Sequence, residues 1–381
     1  VLLCQYIFKL LLPVNLNYWY EFTTQNTLGW KVIASMALAV ALVVLMFRLR
    51  KNQPLLAFSM AWFFITLSPV LSISNVGDNV FTERYLYIPS LGFCVLAAWT
   101  WLWARDHASR KLLLAVAYPS LTLVFIFYAV QIERRIPDWR TDLLLFQKTV
   151  TQSPYSAKVQ SSLGISYYQV GQVDSAVAPL ERSLAIDPNA YLTHLYLALS
   201  LSLLGENQEA SAHLARAYAL KTPLDPPWSL FGQAYANLGQ WDQAIECDRK
   251  ALESEPNNPV LFSVLGEALL NEGETQAAMA AFRQAIQLEP GTLDASTNLA
   301  ILLAKQGNTN EAVELLHSAV RAHGSEPKAS LSYFNLGTVY LQKGDLDSAE
   351  AAYQRALELN PDLTSARQHL ESLEARRHAQ P

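Results

Sequence analysis

The sequence has little of the chemistry on which soluble enzymes depend. Its three cysteines, Cys4, Cys94 and Cys247, lie far apart among 381 residues, which argues against a disulfide framework and a zinc site. The seven histidines form no HExxH pair, and GxGxxG, P-loop and GxSxG segments are missing. Soluble-enzyme catalysis therefore finds no support, and the motifs predict no metal site.

Positive charge is scarce in the second half of the chain. Residues 1–150 contain 13 Lys/Arg and 7 Asp/Glu, whereas residues 151–381 contain 15 Lys/Arg and 26 Asp/Glu. Nucleic-acid phosphates require a basic surface, so this balance argues against a nucleic-acid partner. The halves are expected to lie in different solvents.

Long apolar runs dominate the first half, at residues 27–47, 55–71, 86–103 and 112–130. A helix needs about 20 apolar residues to cross the hydrocarbon core, so we expect four membrane spans. Residues 1–13 look like the end of a fifth span. The chain starts without an initiator methionine or the features of a signal peptide, and we expect it to be the C-terminal part of a longer protein.

The charges of the short loops predict the orientation. Residues 48–52 and 105–111 carry Lys/Arg, whereas residues 15–26 and 72–81 carry none. The positive-inside rule places the first two loops in the cytoplasm and everything after Gln131 outside, in the periplasm or exterior, or in the ER lumen of a eukaryote. The basic residues 133–140 would then be external, which long translocated domains tolerate.

The second half repeats itself. Six segments align at offsets of 34, 34, 34, 34 and 37 residues: LGISYY from Leu163, LALSLS from Leu197, FGQAYA from Phe231, LGEALL from Leu265, LAILLA from Leu299 and LGTVYL from Leu336. This period is typical of tetratricopeptide repeats, in which helix pairs stack into a solenoid. His194 is interpreted as a surface residue of this solenoid, and His107 as a loop residue.

Small residues recur in the same register. One alanine of each repeat is expected where its two helices approach closely: Ala176, Ala210, Ala244, Ala278, Ala312 and Ala349. A second small residue comes one turn before the second helix ends: Ser183, Ala217, Ala251, Ala285, Ala319 and Ala356. Proline opposes helical continuation, so helices should end before Pro188, Pro256, Pro290 and Pro361. The longer last offset places three extra residues near 324–327.

These patterns predict an all-α protein. Its parts are a transmembrane region over residues 1–131, a juxtamembrane connector over 132–156, six tetratricopeptide repeats over 157–363, and a capping helix and tail over 364–381. The capping helix should run from about Thr364 to Arg377, with its polar side in solvent.

The concave face of such a solenoid can hold an extended peptide. Repeat geometry places several polar residues on that face: Gln233, Asn237, Glu267, Asn271, Lys305 and Gln342, with Asn298 and Asn335 on the same helices. Amide side chains can bind a peptide backbone without reading its side chains. The alternative is an ordinary solvated helix face. No repeated Lys/Arg set suggests a groove that binds carboxylates.

Two further segments carry a family resemblance. Residues 83–90, ERYLYIPS, enter a membrane helix, and residues 139–146, WRTDLLLF, lead into the repeats. With the spans and the repeats, these segments resemble the TMTC family, the transmembrane and tetratricopeptide repeat proteins, over nearly the whole chain. The resemblance implies a GT-C type glycosyltransferase that moves mannose from a polyprenyl-phosphate sugar to Ser/Thr hydroxyls of an acceptor protein. Its catalytic acidic residues would precede residue 1.

In this reading the ERYLY segment binds the lipid phosphate of the donor. Arg84 offers a planar fork of donors that suits a phosphate, and Tyr85 and Tyr87 suit a membrane interface. Glu83 would orient Arg84 or bind a divalent metal ion. The alternative is an interfacial salt bridge between Glu83 and Arg84 that only fixes the helix end. Asp78 is interpreted as part of a turn.

The sequence thus predicts part of a membrane O-mannosyltransferase, whose membrane half holds a lipid-linked sugar and whose repeats present the acceptor. The competing class is a membrane-anchored repeat scaffold without enzyme activity, which assembles other proteins. Trp139 and Arg140 are expected to join the membrane part to the repeats.

Overall fold

The computed structural model describes residues 4, 7–8, 30–71, 87–107, 109–221 and 226–379. The regular structure in these ranges is helical throughout, as the sequence predicts. The chain divides into two compact units, Val1–Tyr196 and Leu197–Pro381.

Each of the four apolar runs forms a helix in the first unit. The helices are α1 (Trp30–Leu49), α2 (Pro54–Leu71), α3 (Tyr87–His107) and α4 (Tyr118–Arg135), and α4 follows a helical turn Arg110–Leu112 and a π-helical turn Leu113–Ala117. Among the residues described, two stretches are long and apolar enough to cross a bilayer, Val32–Leu49 and Arg110–Trp139. Membrane crossing by all four helices stays a prediction.

Helices α2 and α3 pack closely at Gly92. A Cβ added at Gly92 would meet the backbone oxygen of Ser59 at 2.6 Å, so a larger residue would push the helices apart. The indole Nε1 of Trp62 also donates to the backbone oxygen of Ile88, 3.0 Å away. The first turn of α3 is therefore fixed against α2.

An apolar cavity of about 300 Å³ lies beside this contact. Its walls come from α1, α2, α3 and one residue before them: Leu42, Leu45, Met60, Phe63, Phe64, Phe93, Leu96 and Ile7. No polar side chain lines it, so the cavity suits a hydrocarbon group.

The connector between α4 and the repeats is also helical. A 3-10 turn over Ile136–Trp139 leads into α5 (Asp142–Gln152), whose first turn is capped by the Thr141 hydroxyl accepting from the Leu144 amide. The Arg135 guanidinium lies 5.9 Å from the centre of the Trp139 ring. Helix α5 packs on the first repeat, and the Gln147 amide donates to the Tyr167 hydroxyl at 3.1 Å.

Twelve helices form the six predicted repeats in pairs. Their bounds are α6 (Ala157–Gln169), α7 (Val173–Ile186), α8 (Tyr191–Leu204), α9 (Asn207–Leu220), α10 (Trp228–Asn237), α11 (Trp241–Ser254), α12 (Pro259–Glu272), α13 (Thr275–Leu288), α14 (Leu293–Lys305), α15 (Thr309–His323), α16 (Ser330–Lys343) and α17 (Leu346–Leu359). The boundary between the two units falls inside α8.

The predicted close-approach positions are confirmed. All six alanines of the first column are 0% exposed, and every residue of the second column is buried. Each pair also turns at a glycine with positive φ, a conformation that side chains with a Cβ disfavour. These glycines repeat at the offsets of the other columns: Gly171, Gly205, Gly239, Gly273, Gly307 and Gly344.

The last repeat and the cap follow the predicted spacing. The extra residues after α15 lead into a short 3-10 turn, Pro327–Ala329, before α16 begins. Helix α18 (Thr364–Ala379) packs on α17 and buries Ala366 and Leu373.

Two histidine predictions were wrong. His194 is 8% exposed, and its Nε2 lies 3.1 Å from the Pro188 backbone oxygen, so the ring is held against the loop that precedes α8. His107 ends α3 as a helical residue and stacks on Trp103, with ring centres 4.8 Å apart.

Candidate peptide-binding surface

The first helices of repeats three to six are α10, α12, α14 and α16. Helix α12 contacts α14, and α14 contacts α16, so these three helices lie side by side. We call the face that carries Gln233, Asn237, Asn271, Asn298 and Asn335 the first-helix surface. The opposite side of each helix holds buried residues that pack on the second helix of the same repeat, such as Gly266 and Leu299.

A hydrogen bond on this surface joins repeats four and five. The half-buried Asn298 donates its amide to Glu267 Oε1, 3.2 Å away. Glu267 is exposed, yet neighbouring atoms remove part of its hydration, which raises the pKa of its carboxyl. The negative charge of Asp294 raises this pKa further, while the Asn298 bond lowers it. The amide oxygen of Asn298 is left to accept from a ligand.

Two of the predicted amides have no hydrogen-bond partner within the described ranges. Gln233 is exposed on α10, and Asn335 is half-buried on α16. An amide offers two donors and an acceptor oxygen. Both can therefore bind a peptide backbone without first breaking a contact of the folded chain.

The three other predicted amides already form hydrogen bonds within the repeats. Asn237 donates to the Ser202 hydroxyl at 3.1 Å, and Asn271 donates to the Glu267 backbone oxygen of its own helix at 2.8 Å. Gln342 donates to the Ala304 backbone oxygen of the preceding repeat at 3.1 Å. These amides therefore stabilise the repeats. Lys305 is exposed at the end of α14.

The predicted donor site lies mostly outside the described residues. This holds for Glu83, Arg84 and Tyr85, and Asp78 also falls there. Tyr87 is the first residue of α3. The role of this segment in binding a lipid phosphate stays a prediction.

Sequence reasoning missed one buried acid. One position of each second helix faces the first helix of its repeat, and its residues are Leu180, Leu214, Asp248, Phe282, Leu316 and Tyr353, all buried. Asp248 is the single acid in this column. Comparing the repeats at this position, and not only at the alanine positions, would have found it.

A cluster of aromatic residues joins repeats two and three. The Tyr218 ring lies 5.7 Å from Phe231 and 6.4 Å from Tyr235, and the Lys221 ammonium lies 3.4 Å from the centre of the Tyr218 ring. Burial raises the pKa of Tyr235 to about 12, with smaller contributions from nearby groups. These contacts fill the space between repeats two and three.

No three metal-binding side chains converge anywhere in the part of the chain that the structure describes. Glu83, the acid with a predicted metal-binding alternative, lies outside that part.

Known protein families match the repeat half. One family model described as tetratricopeptide repeat matches residues 162–226 and 230–291, and a second with the same description matches residues 291–362. Residues 162–362 belong to the tetratricopeptide-repeat family. Its members bind proteins or peptides, so this half of the chain is a protein-interaction solenoid.

Curated relatives also resemble the chain in its repeat region. The protein O-mannosyl-transferase TMTC3 of Mus musculus is 24% identical over 157 residues, which is 41% of this chain and 16% of the relative. The human protein O-mannosyl-transferase TMTC1 is 24% identical over 231 residues, which is 60% of this chain and 22% of the relative. The chain therefore spans less than a quarter of the length of either relative.

A solved structure of PilF from Pseudomonas aeruginosa is also similar. It is 19% identical, with a TM-score of 0.46, and the match covers 57% of this chain and 97% of that one.

Proposed function

We propose that this chain is part of a membrane protein O-mannosyltransferase, which moves mannose from a polyprenyl-phosphate sugar to Ser/Thr hydroxyls. The observation that carries the proposal is the resemblance of the repeat region to several protein O-mannosyl-transferases. Two helices long and apolar enough to cross a bilayer support a membrane location. The ERYLYIPS segment, whose last four residues, 87–90, begin α3, supports a site for the donor.

In this proposal the membrane half binds the donor. Arg84 holds the lipid phosphate in the planar fork of its guanidinium, and Tyr85 and Tyr87 lie at the interface. The isoprenoid chain needs an apolar environment, which the cavity among α1, α2 and α3 offers. Helix α3, which forms one wall of this cavity, begins within a few residues of Arg84 in the sequence. The phosphate head group and the isoprenoid chain of one donor can therefore bind together.

The repeats bind the acceptor polypeptide at the first-helix surface. Three amides from three different repeats can form further hydrogen bonds there: Gln233, Asn298 and Asn335. Contacts with the backbone of an extended peptide accept many sequences, which suits an enzyme that modifies many Ser/Thr sites.

The acceptor role predicts a change in KM. In the full-length parent protein, the double variant Gln233→Ala with Asn335→Ala should raise KM for an unstructured Ser/Thr peptide about tenfold. Two lost hydrogen bonds at ~0.5–1.5 kcal/mol each account for that change. The value of kcat should stay the same, because the bonds form equally in the ground and transition states. Mannose transfer from polyprenyl-phosphate mannose measures both constants.

Asn271→Ala is the matched control for this experiment. Asn271 lies on the same surface but bonds to its own backbone, so its KM should match that of the unchanged protein. An unchanged KM in the double variant would remove the acceptor role of this surface. If the unchanged protein and all its variants bind the peptide but transfer no mannose, the membrane-anchored scaffold is favoured instead.

We propose four spans, with residues 48–52 in the cytoplasm and the repeats outside. In bacterial spheroplasts, a cysteine at the exposed position Glu274 should react with a membrane-impermeant maleimide, after replacement of the three native cysteines. A cysteine at Asn52 should react only after permeabilisation, because the positive-inside rule retains this loop in the cytoplasm. The reverse pattern would overturn the orientation.

A further inference from the structure

Asp248 is a deeply buried acid. It lies on α11 at 0% exposure, and neither of its carboxylate oxygens has a hydrogen-bond partner among the described residues. A buried charge is costly unless it is paired, so an acid at this position does not stabilise the folded chain. Leucine, phenylalanine or tyrosine fills the position in the other repeats.

The position matters because it holds the two helices of a repeat together. In repeat four the Phe282 ring covers Gly266, and in repeat six the Tyr353 ring covers Gly337, so that a Cβ at either glycine would collide with the ring. In repeat three a Cβ at Gly232 would collide with Asp248 Oδ1. The carboxyl of Asp248 therefore lies directly against the backbone of α10.

Charged groups on its own helix do not compensate for the buried carboxyl. Cys247 is buried beside it, and burial raises the pKa of the Cys247 thiol to about 12, so this neighbour is neutral. Lys250 pairs with Glu246, and Arg249 is exposed to solvent.

Among the described residues, the neighbouring helices also supply no cation to Asp248. Tyr235 is the titratable residue of α10, and it is neutral. The charged residues of α12, Glu267 and Glu272, are exposed acids. From α9, Tyr218 faces the aromatic rings of α10, and Lys221, just after α9, lies over the Tyr218 ring.

We propose that Asp248 makes repeat three a proton-controlled opening point of the solenoid, closed when the carboxyl is protonated and weakened when it is ionised. A neutral carboxyl packs against Gly232 at low cost, whereas an ionised one must be hydrated, which requires α10 and α11 to separate. Each repeat contacts only its neighbours, so an opened repeat three interrupts the array. Helix α10 also carries Gln233, and opening moves this amide on the first-helix surface.

The direction of the pH effect follows from linkage. Loss of hydration raises the pKa of Asp248 from its usual 3.8 to about 7 in the folded repeat. An open repeat binds fewer protons than a closed one between these values. The closed form is therefore fully stable at or below pH 3.8, loses stability as the pH rises toward about 7, and changes little above that.

Hydrogen exchange of the whole chain in detergent tests this proposal. After correction for intrinsic exchange rates, opening of the α10 and α11 amides should increase about thirtyfold between roughly pH 5.5 and pH 8.5. The α14 and α15 amides should not follow this change. Asp248→Asn should remove the pH dependence, because the side chain keeps its shape and cannot ionise.

Two more variants make the experiment decisive. Asp248→Leu restores the residue type of repeats one, two and five and should keep repeat three closed at both pH values. Glu253→Gln, at an exposed acid of the same helix, should retain the pH dependence of the unchanged chain. The proposal fails if Asp248→Asn keeps the full pH dependence, or if repeat three of the unchanged chain opens no more at the higher pH than repeat five does.

Discussion

Ala278→Leu should destabilise repeat four by about 1–3 kcal/mol, because extra methylenes in a well-packed contact force side chains and backbone apart. Ala278 is 0% exposed on α13, one turn before Phe282. The Phe282 ring already lies so close to Gly266 that a Cβ there would meet it at 2.6 Å. The leucine therefore has no free space, and the two helices must separate. Hydrogen exchange of the α12 and α13 amides measures the loss.

Ala280→Leu provides the matched control on the same helix. Ala280 is exposed, so the same change in volume meets solvent and should alter stability by no more than about 0.5 kcal/mol. Ala244→Leu should reproduce the effect of Ala278→Leu in repeat three, since Ala244 is also 0% exposed. Equal stability of the Ala278 and Ala280 variants would contradict this account of the packing.

The repeats could be predicted from the sequence because close packing restricts residue size at fixed intervals. Only a small side chain fits at Ala278 and its equivalents, so a column of alanines appears at the spacing of the fold. The turn glycines obey a second restriction, positive φ, and give the same spacing independently. Two unrelated physical demands thus specify one register.

The roles of the surface amides could not be predicted in this way. Asn271 and Asn298 are the same residue type on first helices of adjacent repeats, yet Asn271 bonds to its own backbone and Asn298 bonds to Glu267 of the other repeat. The difference depends on side-chain rotamers and on which acid lies within reach. Sequence periodicity contains neither piece of information.

The apolar runs of the first half predicted where helices form, but not how they pack. An apolar run has no periodic polar face that would indicate its neighbours. The contact at Gly92 and the cavity beside it depend on the distance between α2 and α3. Gly92 lies two residues after the ERYLYIPS segment, and its close contact with α2 gives this glycine a packing reason.

Arg84→Ala should lower kcat/KM for mannose transfer by the full-length parent protein at least about thirtyfold. Loss of one partner from a desolvated charge pair costs ~2–5 kcal/mol, and a lipid phosphate would be left without its cation. Arg84→Lys should also fail substantially, because an ammonium keeps the charge but loses the planar, bidentate geometry. A salt bridge that only fixes the end of α3 would tolerate lysine much better.

Glu83→Gln separates the two roles open to the neighbouring acid. If Glu83 orients Arg84, the glutamine variant should lose less activity than Arg84→Ala, since an amide oxygen still accepts a hydrogen bond from the guanidinium. If Glu83 binds a divalent ion, the loss should be comparable, because the amide carries no charge for the metal. Membrane expression has to be measured alongside transfer, so that misfolded protein is not counted as inactive enzyme. Near-normal transfer by well-expressed Arg84→Ala would remove the phosphate-binding role and leave the pair as an anchor of the helix end at the membrane interface.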